Sequence, residues 1–142
     1  MAHRRQAFVL AAATGLIGVT FGVFADTSGF SLSQASALSV LTFTGASQFA
    51  VVSVVAGGGS TAAAVASGLL LAARNSLYGP VMAPRLGGGP GRRLVAAQFL
   101  IDETTAMATA QEQQEHGRDA FWFTGLWLFV FWNAGTVLGV LL

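Results

Sequence analysis

Charged side chains are scarce in this sequence. They make up 9% of its 142 residues, whereas 54% of the residues are hydrophobic. An average soluble domain carries about 25% charged residues. Seven basic and six acidic side chains could not cover the surface of a soluble domain of this length. We therefore expect the chain to face lipid over most of its surface, as a polytopic membrane protein.

Several other features are absent, and their absence narrows the range of functions. There is no cysteine, which excludes disulfides and thiol chemistry, and the two histidines lie in polar flanks. There is no lysine, and the arginines are scattered with a net charge of +1, which argues against a nucleic-acid partner. We find no phosphate-binding Gly-Lys-Ser loop and no nucleophile beside a base. The sequence therefore predicts a protein that is not an enzyme and has no cofactor or metal.

Long hydrophobic stretches define the predicted fold. A membrane-spanning helix requires about 20 mostly apolar residues. Five segments approach that length and predict an all-α polytopic membrane protein with a single membrane domain over residues 1–142: 7–25, 34–56, 61–83, 94–110 and 120–142. The first of them follows a basic start and resembles a signal peptide, but its length of 19 residues favours a retained helix.

Five simple crossings conflict with the distribution of positive charge. Arg4 and Arg5 favour a cytoplasmic N-terminus, and five crossings would then place the arginines of loop 84–93 outside. One resolution is that a segment between residues 34 and 83 is broken or re-entrant, which its glycines and the polar stretch TGASQ favour. The other is a plain exception to the rule, and the sequence does not decide between them.

Arg74 lies in a segment that is otherwise small and apolar. A guanidinium does not lose its charge, so Arg74 must pair, reach the interface or face water. A helix that ends near Pro80 would let it snorkel to the interface. The alternative is a cavity in which Arg74 pairs with a carboxylate of the protein or of a substrate. Asn75 and Tyr78 favour the cavity, because Tyr78 lies one turn away on the same face.

Two adjacent acids lie within segment 94–110. On a continuous helix, Asp102 falls on a polar stripe with Gln98, Thr105 and Thr109, whereas Glu103 points about 100° away. A carboxyl group poised between apolar surroundings and a paired arginine can bind and release protons. Asp102 and Glu103 are therefore candidates for ion coupling. The alternative is an interfacial amphipathic helix in which both acids are solvated.

Other polar and small residues have predicted roles in binding or packing. Thr44, Ser47 and Gln48 share one helix face and could bind a substrate or join helices. The GxxxG stretches 18–22 and 135–139 predict close helix packing. Trp122, at the start of the last segment, is typical of an interface anchor.

Three stretches in order resemble the AzlC family, the large subunits of branched-chain amino-acid exporters. They are FGVFADTSGFSLSQASALSVLTFTGASQFA, LLLAARNSLYGPVMAPRL and FLIDETTAMA, and the resemblance covers residues 15–139. The family pattern includes a Phe-Gly pair, an F-x-G-x-S-Q-F stretch, an Asn/Arg pair before Leu-Tyr, and an acidic Asp-Glu. Many members have Asn before Arg, whereas this chain has Arg74 and then Asn75.

The resemblance implies ion-gradient-driven export of leucine, isoleucine and valine across a bacterial cytoplasmic membrane, together with a small AzlD-type membrane subunit. Full-length members continue with further membrane segments, so we expect this chain to be an N-terminal part or a shortened member. A non-transporting scaffold, in which Arg74 and Asp102 or Glu103 form a structural pair, is the alternative. A channel is a third interpretation, and it predicts conductance without saturation.

Under the export hypothesis, Arg74 holds the substrate carboxylate with its two-pronged guanidinium. Asp102 or Glu103 holds the ammonium group or carries the coupling proton. The branched side chain lies on Phe43, Phe49 or Leu70. The remaining substrate-binding candidates are Thr44, Ser47, Gln48, Asn75 and Tyr78.

Overall fold

The computed structural model describes residues 2–142, and these residues are helical with no strand. The elements in order are α1 (Ala2–Thr27), α2 (Leu32–Leu41), α3 (Gly45–Ala56), α4 (Thr61–Ala73), a 3₁₀ helix (Arg74–Tyr78), α5 (Gly79–Leu86), α6 (Pro90–Gln98), α7 (Asp102–Thr109) and α8 (Gln114–Leu141). Within the described residues, α1 and α8 are the helices long and apolar enough to cross a membrane.

Helices α1 and α8 run parallel, with their first residues at the same end of the bundle. At this end, called the amino end below, Arg4 Nε donates to Asp119 Oδ2 at 2.8 Å. The rings of Phe8 and Trp127 follow, with centroids 5.2 Å apart. The two helices finish at the opposite end, called the far end.

Glycines bring α1 and α8 into close contact in the half towards the far end. A Cβ built on Gly18 would lie 2.8 Å from the carbonyl oxygen of Trp132, and one built on Gly139 would lie 2.8 Å from the backbone nitrogen of Val23. Only glycine permits such an approach of two helix backbones. The predicted role of the stretches 18–22 and 135–139 in packing is confirmed.

Helices α2 and α3 form a hairpin that begins and ends at the far end. Helix α2 starts just after α1 finishes, where Ser31 caps it by accepting from the Gln34 N–H. The chain is non-helical over Thr42–Thr44 and then turns back. Along α3, the ring of Phe49 packs on Phe24 of α1, near the far end, with centroids 6.1 Å apart. Segment 34–56 is thus broken into a hairpin, which agrees with one of the two resolutions left open by the sequence.

The next segment runs from the far end to the amino end. Helix α4 is antiparallel to α3, with Gly68 against the side chain of Val51. The 3₁₀ helix follows because Pro80 has no N–H with which to continue the α-helical hydrogen bonding. Helix α5 then reaches the amino end, where Gln114 Nε2 donates to the Pro84 carbonyl at 3.1 Å.

Helices α6 and α7 form a second hairpin, which begins and ends at the amino end. The guanidinium of Arg92 lies over the ring of Trp122, 5.7 Å from its centroid. The backbone departs from helix over 99–101, in the middle of the bundle, and α7 returns until the Ala108 carbonyl lies beside Gly117. The predicted continuous helix over 94–110 is wrong, because this break separates Gln98 from the residues that were to share its stripe.

Five simple crossings are not confirmed by this arrangement. Three segments traverse the bundle (α1, α4–α5 and α8), and two hairpins enter it from opposite ends. Six of the seven arginines belong to the amino end, either by their contacts or as direct sequence neighbours of residues with such contacts. They are Arg4, Arg5, Arg85, Arg92, Arg93 and Arg118. This is the distribution that the positive-inside rule predicts if the amino end faces the cytoplasm.

Cysteine labelling distinguishes this topology from five crossings, and the native chain has no cysteine to interfere. We expect Thr61→Cys to react with a membrane-impermeant maleimide on intact spheroplasts, and Gly91→Cys to react only after the membrane is opened. Both positions are exposed. The cysteine-free parent is the control for background labelling. Five simple crossings require the reverse pattern, which would overturn the hairpin topology.

Candidate functional site

Three interruptions of helical structure meet in the middle of the bundle. They are Thr42–Thr44, the 3₁₀ helix Arg74–Tyr78, and residues 99–101. Each contributes residues to one cavity of about 260 Å³. Its polar lining consists of Thr14, Thr44, Arg74, Asp102 and Glu103, and its apolar lining includes Phe43, Phe49, Leu128 and Trp132. In membrane proteins, irregular backbone at this depth is tolerated where it lines a cavity.

Arg74 is paired within the protein at the edge of this cavity. Its Nη2 lies 3.0 Å from Asp102 Oδ2. The hydroxyl of Tyr78 donates to the other carboxylate oxygen, Asp102 Oδ1, at 2.5 Å. The side chains of Arg74 and Asp102 are 48% and 43% exposed, and both line the cavity. The Arg74 guanidinium is therefore paired with a carboxylate of the protein in the middle of the bundle.

Glu103 is the second carboxylate of the cavity. Among residues 2–142 it forms no ion pair, although it lines the same space as Arg74 and Asp102. One cation and two anions leave the cavity with a formal charge of −1. A group that enters with a positive charge would find Glu103 free to receive it.

The N-terminus of α3 opens onto the cavity beside Arg74. Thr44 precedes the helix without capping it through its side chain, and Gly45 and Ala46 line the cavity. The first N–H groups of a helix have no partner within the helix and carry part of its positive dipole, which favours a bound anion. Helix α7 also begins at the cavity, but Asp102 and Glu103 occupy its first turn and offset its dipole.

Ser47 and Gln48 lie behind the cavity and do not line it. Gln48 is fully buried, and its amide is used by the protein itself. Its Nε2 donates to the Thr42 carbonyl at 2.6 Å, and its Oε1 accepts from the Trp132 indole at 2.8 Å. Gln48 therefore fixes the break that shapes the cavity, and Trp132 is a partner that sequence reasoning missed. Ser47 is also fully buried, and its hydroxyl has no partner among the described residues.

Three other predicted residues do not line the cavity, and one of them, Tyr78, reaches it only through its hydrogen bond to Asp102. Asn75 lines a separate cavity of about 380 Å³, together with Thr44 and Gln98, and its side-chain oxygen is buried without a partner in the described part of the chain. Leu70 is 76% exposed and lines neither cavity, in contrast to Phe43 and Phe49. The expectation that Leu70 carries the branched side chain is not supported, because it points away from the site.

Comparison with known proteins gives a consistent assignment. The AzlC protein family matches residues 9–142, nearly the whole chain. The chain is 32% identical over 131 residues to an uncharacterized membrane protein of Archaeoglobus fulgidus, covering 88% of this chain and 54% of the relative. It is 31% identical over 129 residues to inner membrane protein YgaZ of Escherichia coli, covering 87% and 52%. The chain thus spans about half the length of these curated relatives, and no solved structure matches it. It belongs to the AzlC family of membrane proteins.

Proposed function

We propose that this chain takes part in the export of branched-chain amino acids across a bacterial cytoplasmic membrane, driven by an ion gradient and together with a small AzlD-type subunit. The observation that carries the proposal is the cavity at the tips of two opposed hairpins, which offers groups for both charges of an amino acid. Transporter sites commonly lie at the membrane midplane between interrupted helices, with helix N-termini directed at anionic substrate groups.

An aliphatic amino acid matches the chemistry of this cavity. Its carboxylate would accept from the first N–H groups of α3 at Gly45 and Ala46, with Arg74 beside them. Its ammonium group would bind Glu103, and its side chain would pack on Phe43 and Phe49, which line the cavity. Pockets for drug-sized ligands measure about 300–1,000 Å³, so a cavity of about 260 Å³ suits a smaller molecule.

The carboxylates of the cavity suggest how substrate and ion are coupled. The substrate ammonium group and the coupling proton would compete for Glu103, so a proton taken up from outside displaces the amino acid that leaves, while Asp102 holds Arg74 beside the substrate carboxylate. One proton moving down the membrane potential contributes about 2.3 kcal/mol per 100 mV, which sustains roughly a 50-fold gradient of the exported amino acid. In this mechanism Tyr78 holds Asp102 in place through its hydroxyl.

Efflux of preloaded isoleucine tests the proposal. We expect saturable efflux from cells that express the wild-type chain with its AzlD-type subunit, and a loss of that efflux in Arg74→Ala. Leu70→Ala is the matched control, because Leu70 lies on the outer surface of α4 and should leave efflux unchanged.

Three results would contradict this proposal. Full efflux by Arg74→Ala, with the protein shown to be in the membrane, would remove the substrate role of Arg74. No efflux from the wild-type pair would contradict export itself, and conductance without saturation would indicate a channel.

A specific observation also favours the scaffold alternative. The ion pair between Arg74 and Asp102 is complete without any ligand, and Tyr78 satisfies the second carboxylate oxygen. In a chain that only supports a partner subunit, this pairing would serve to hold the tip of the second hairpin against the 3₁₀ helix, and no substrate would be needed. The two functions make different predictions for a charge swap between Arg74 and Asp102.

A further inference from the structure

The arginines at the amino end differ in how they are neutralised. Arg4 pairs with Asp119, which also binds His3. Within residues 2–142, no ion pair includes Arg85, Arg92, Arg93 or Arg118. These four arginines lie close to two parts of the chain. Three of them flank the turn between α5 and α6, and Arg118 lies near the start of α8. This corner of the bundle therefore has an excess of positive charge.

A glycine turn brings two of these arginines to the same place. Gly87 and Gly88 have φ values of 61° and 87°, which glycine adopts without strain. A Cβ built on Gly87 would lie 3.8 Å from Arg118 Nη2, and one built on Gly88 would lie 2.6 Å from Arg92 Cδ. The two guanidinium-bearing side chains thus flank one short turn, although they are on different helices.

Trp122 lies next to both arginines. Like Arg118, it has a buried N–H group without a hydrogen-bond acceptor in the described part of the chain. Arg92 lies over the Trp122 ring at 5.7 Å, and Arg118 precedes Trp122 by one helical turn. The Nε of Arg118 and the Nε1 of Trp122 are buried, and neither has an acceptor among the described residues. Buried donors are rarely left without an acceptor, because the cost of removing them from water is then not recovered. These two buried donors therefore need an acceptor that the described residues do not supply.

We propose that the headgroup of an anionic phospholipid binds at this corner, between Arg92 and Arg118 and beside Trp122. Its phosphate oxygens accept from the guanidinium groups, and its ester oxygens offer further acceptors. Tryptophan is typical of the headgroup level of a membrane, and basic pockets between helices on the cytoplasmic side are suited to anionic headgroups. The positive-inside rule places the corner on that side.

The surroundings favour a lipid over a free phosphate ion. Exposed apolar residues continue from the corner along both helices: Val95 lies one turn beyond Arg92 on α6 and is 55% exposed, and Leu126 lies one turn beyond Trp122 on α8 and is 55% exposed. A lipid whose phosphate lies at the arginines can place its acyl chains along these residues. A soluble anion would make no use of them.

Thermal unfolding of the purified protein in detergent, followed by tryptophan fluorescence, tests the proposal. Phosphatidylglycerol should raise the apparent Tm by about 4 °C or more, which corresponds to stabilisation on the order of 1 kcal/mol or more. Phosphatidylcholine and inorganic phosphate should not. The rise should disappear in the double variant Arg92→Gln with Arg118→Gln and persist in Arg5→Gln, an exposed arginine at the same end but outside the corner.

Each arm of this experiment has a result that would overturn the lipid site. An undiminished rise in the double variant would place phosphatidylglycerol elsewhere. An equal rise with phosphatidylcholine would indicate a general effect of lipid. An equal rise with inorganic phosphate would identify a soluble anion as the ligand. A double variant with a normal starting Tm excludes misfolding as the cause of a lost response.

Discussion

Replacing Gly139 with leucine should remove most of the folded protein from the membrane. The added Cβ would lie 2.8 Å from the Val23 nitrogen and 2.9 Å from the Gly22 Cα, and it would overlap the Val19 carbonyl oxygen. These are backbone atoms of α1, which cannot move aside as the end of a flexible side chain can. Overpacking a core typically costs about 1–3 kcal/mol, and a clash between two backbones is among the more severe cases. The largest helix contact of the bundle would open.

The yield of monodisperse protein after detergent extraction measures this effect. Gly139→Ala should show a smaller loss than Gly139→Leu, because it adds the Cβ without the branched end. Gly91→Leu is the control: a Cβ there meets nothing within 4 Å, so the extra side chain should be tolerated. Normal yield and Tm for Gly139→Leu would mean that α1 and α8 do not approach as described.

Local signals were sufficient to predict part of this fold. The stretches 18–22 and 135–139 carry the glycine spacing that close helix packing requires, and the structure places them in contact. The break within 34–56 follows from polar and small residues in the middle of an apolar segment. The charge conflict of five crossings left two resolutions open, a broken segment between 34 and 83 or an exception to the positive-inside rule, and the helix break at residues 42–44 agrees with the first.

The second hairpin could not be predicted in the same way. Its tip, Phe99-Leu100-Ile101, is apolar and contains neither glycine nor proline, so the pattern favours a continuous helix. The break is held by Thr104, whose hydroxyl bonds the Phe99 carbonyl at 2.5 Å, and by the Phe99 ring packed on Phe43, 6.0 Å between centroids. Threonine is common within helices, and the ring contact joins residues 56 positions apart. Tertiary packing therefore overrides the local pattern here.

For the site as well, the sequence predicted which residue types matter but not which of them come into contact. An arginine and a carboxylate in apolar segments identified Arg74 and Asp102 as candidates, since neither is stable there alone. Their pairing depends on the hairpin tip reaching the 3₁₀ helix, which no spacing encodes. Gln48 shows the converse: its spacing from Thr44 predicted a shared polar face, but the Trp132 indole binds it from a helix 84 residues away.

Reversing the charges of the ion pair separates transport from a structural role. Arg74→Asp alone places three carboxylates around the cavity, and their repulsion should lower the amount of folded protein. Combining it with Asp102→Arg restores opposite charges at the same positions. If the pair only supports the fold, the double variant should recover the yield of the wild type, and any function that depends on the fold should return with it.

Export should not return in the double variant, because the substrate groups of the cavity are not symmetric. The N-terminus of α3 and the guanidinium of Arg74 favour an anion on the same side of the cavity, and an aspartate at 74 would repel the substrate carboxylate there. An arginine at 102 would also lie at the positive end of the α7 dipole and beside Glu103, the proposed ammonium site. Isoleucine efflux measured at matched membrane levels decides between the two functions. Folded protein without efflux supports direct contact between the substrate and these residues. Recovery of both yield and efflux would show that pairing alone matters, and Arg74 and Asp102 would then be structural residues in a carrier whose substrate groups lie elsewhere.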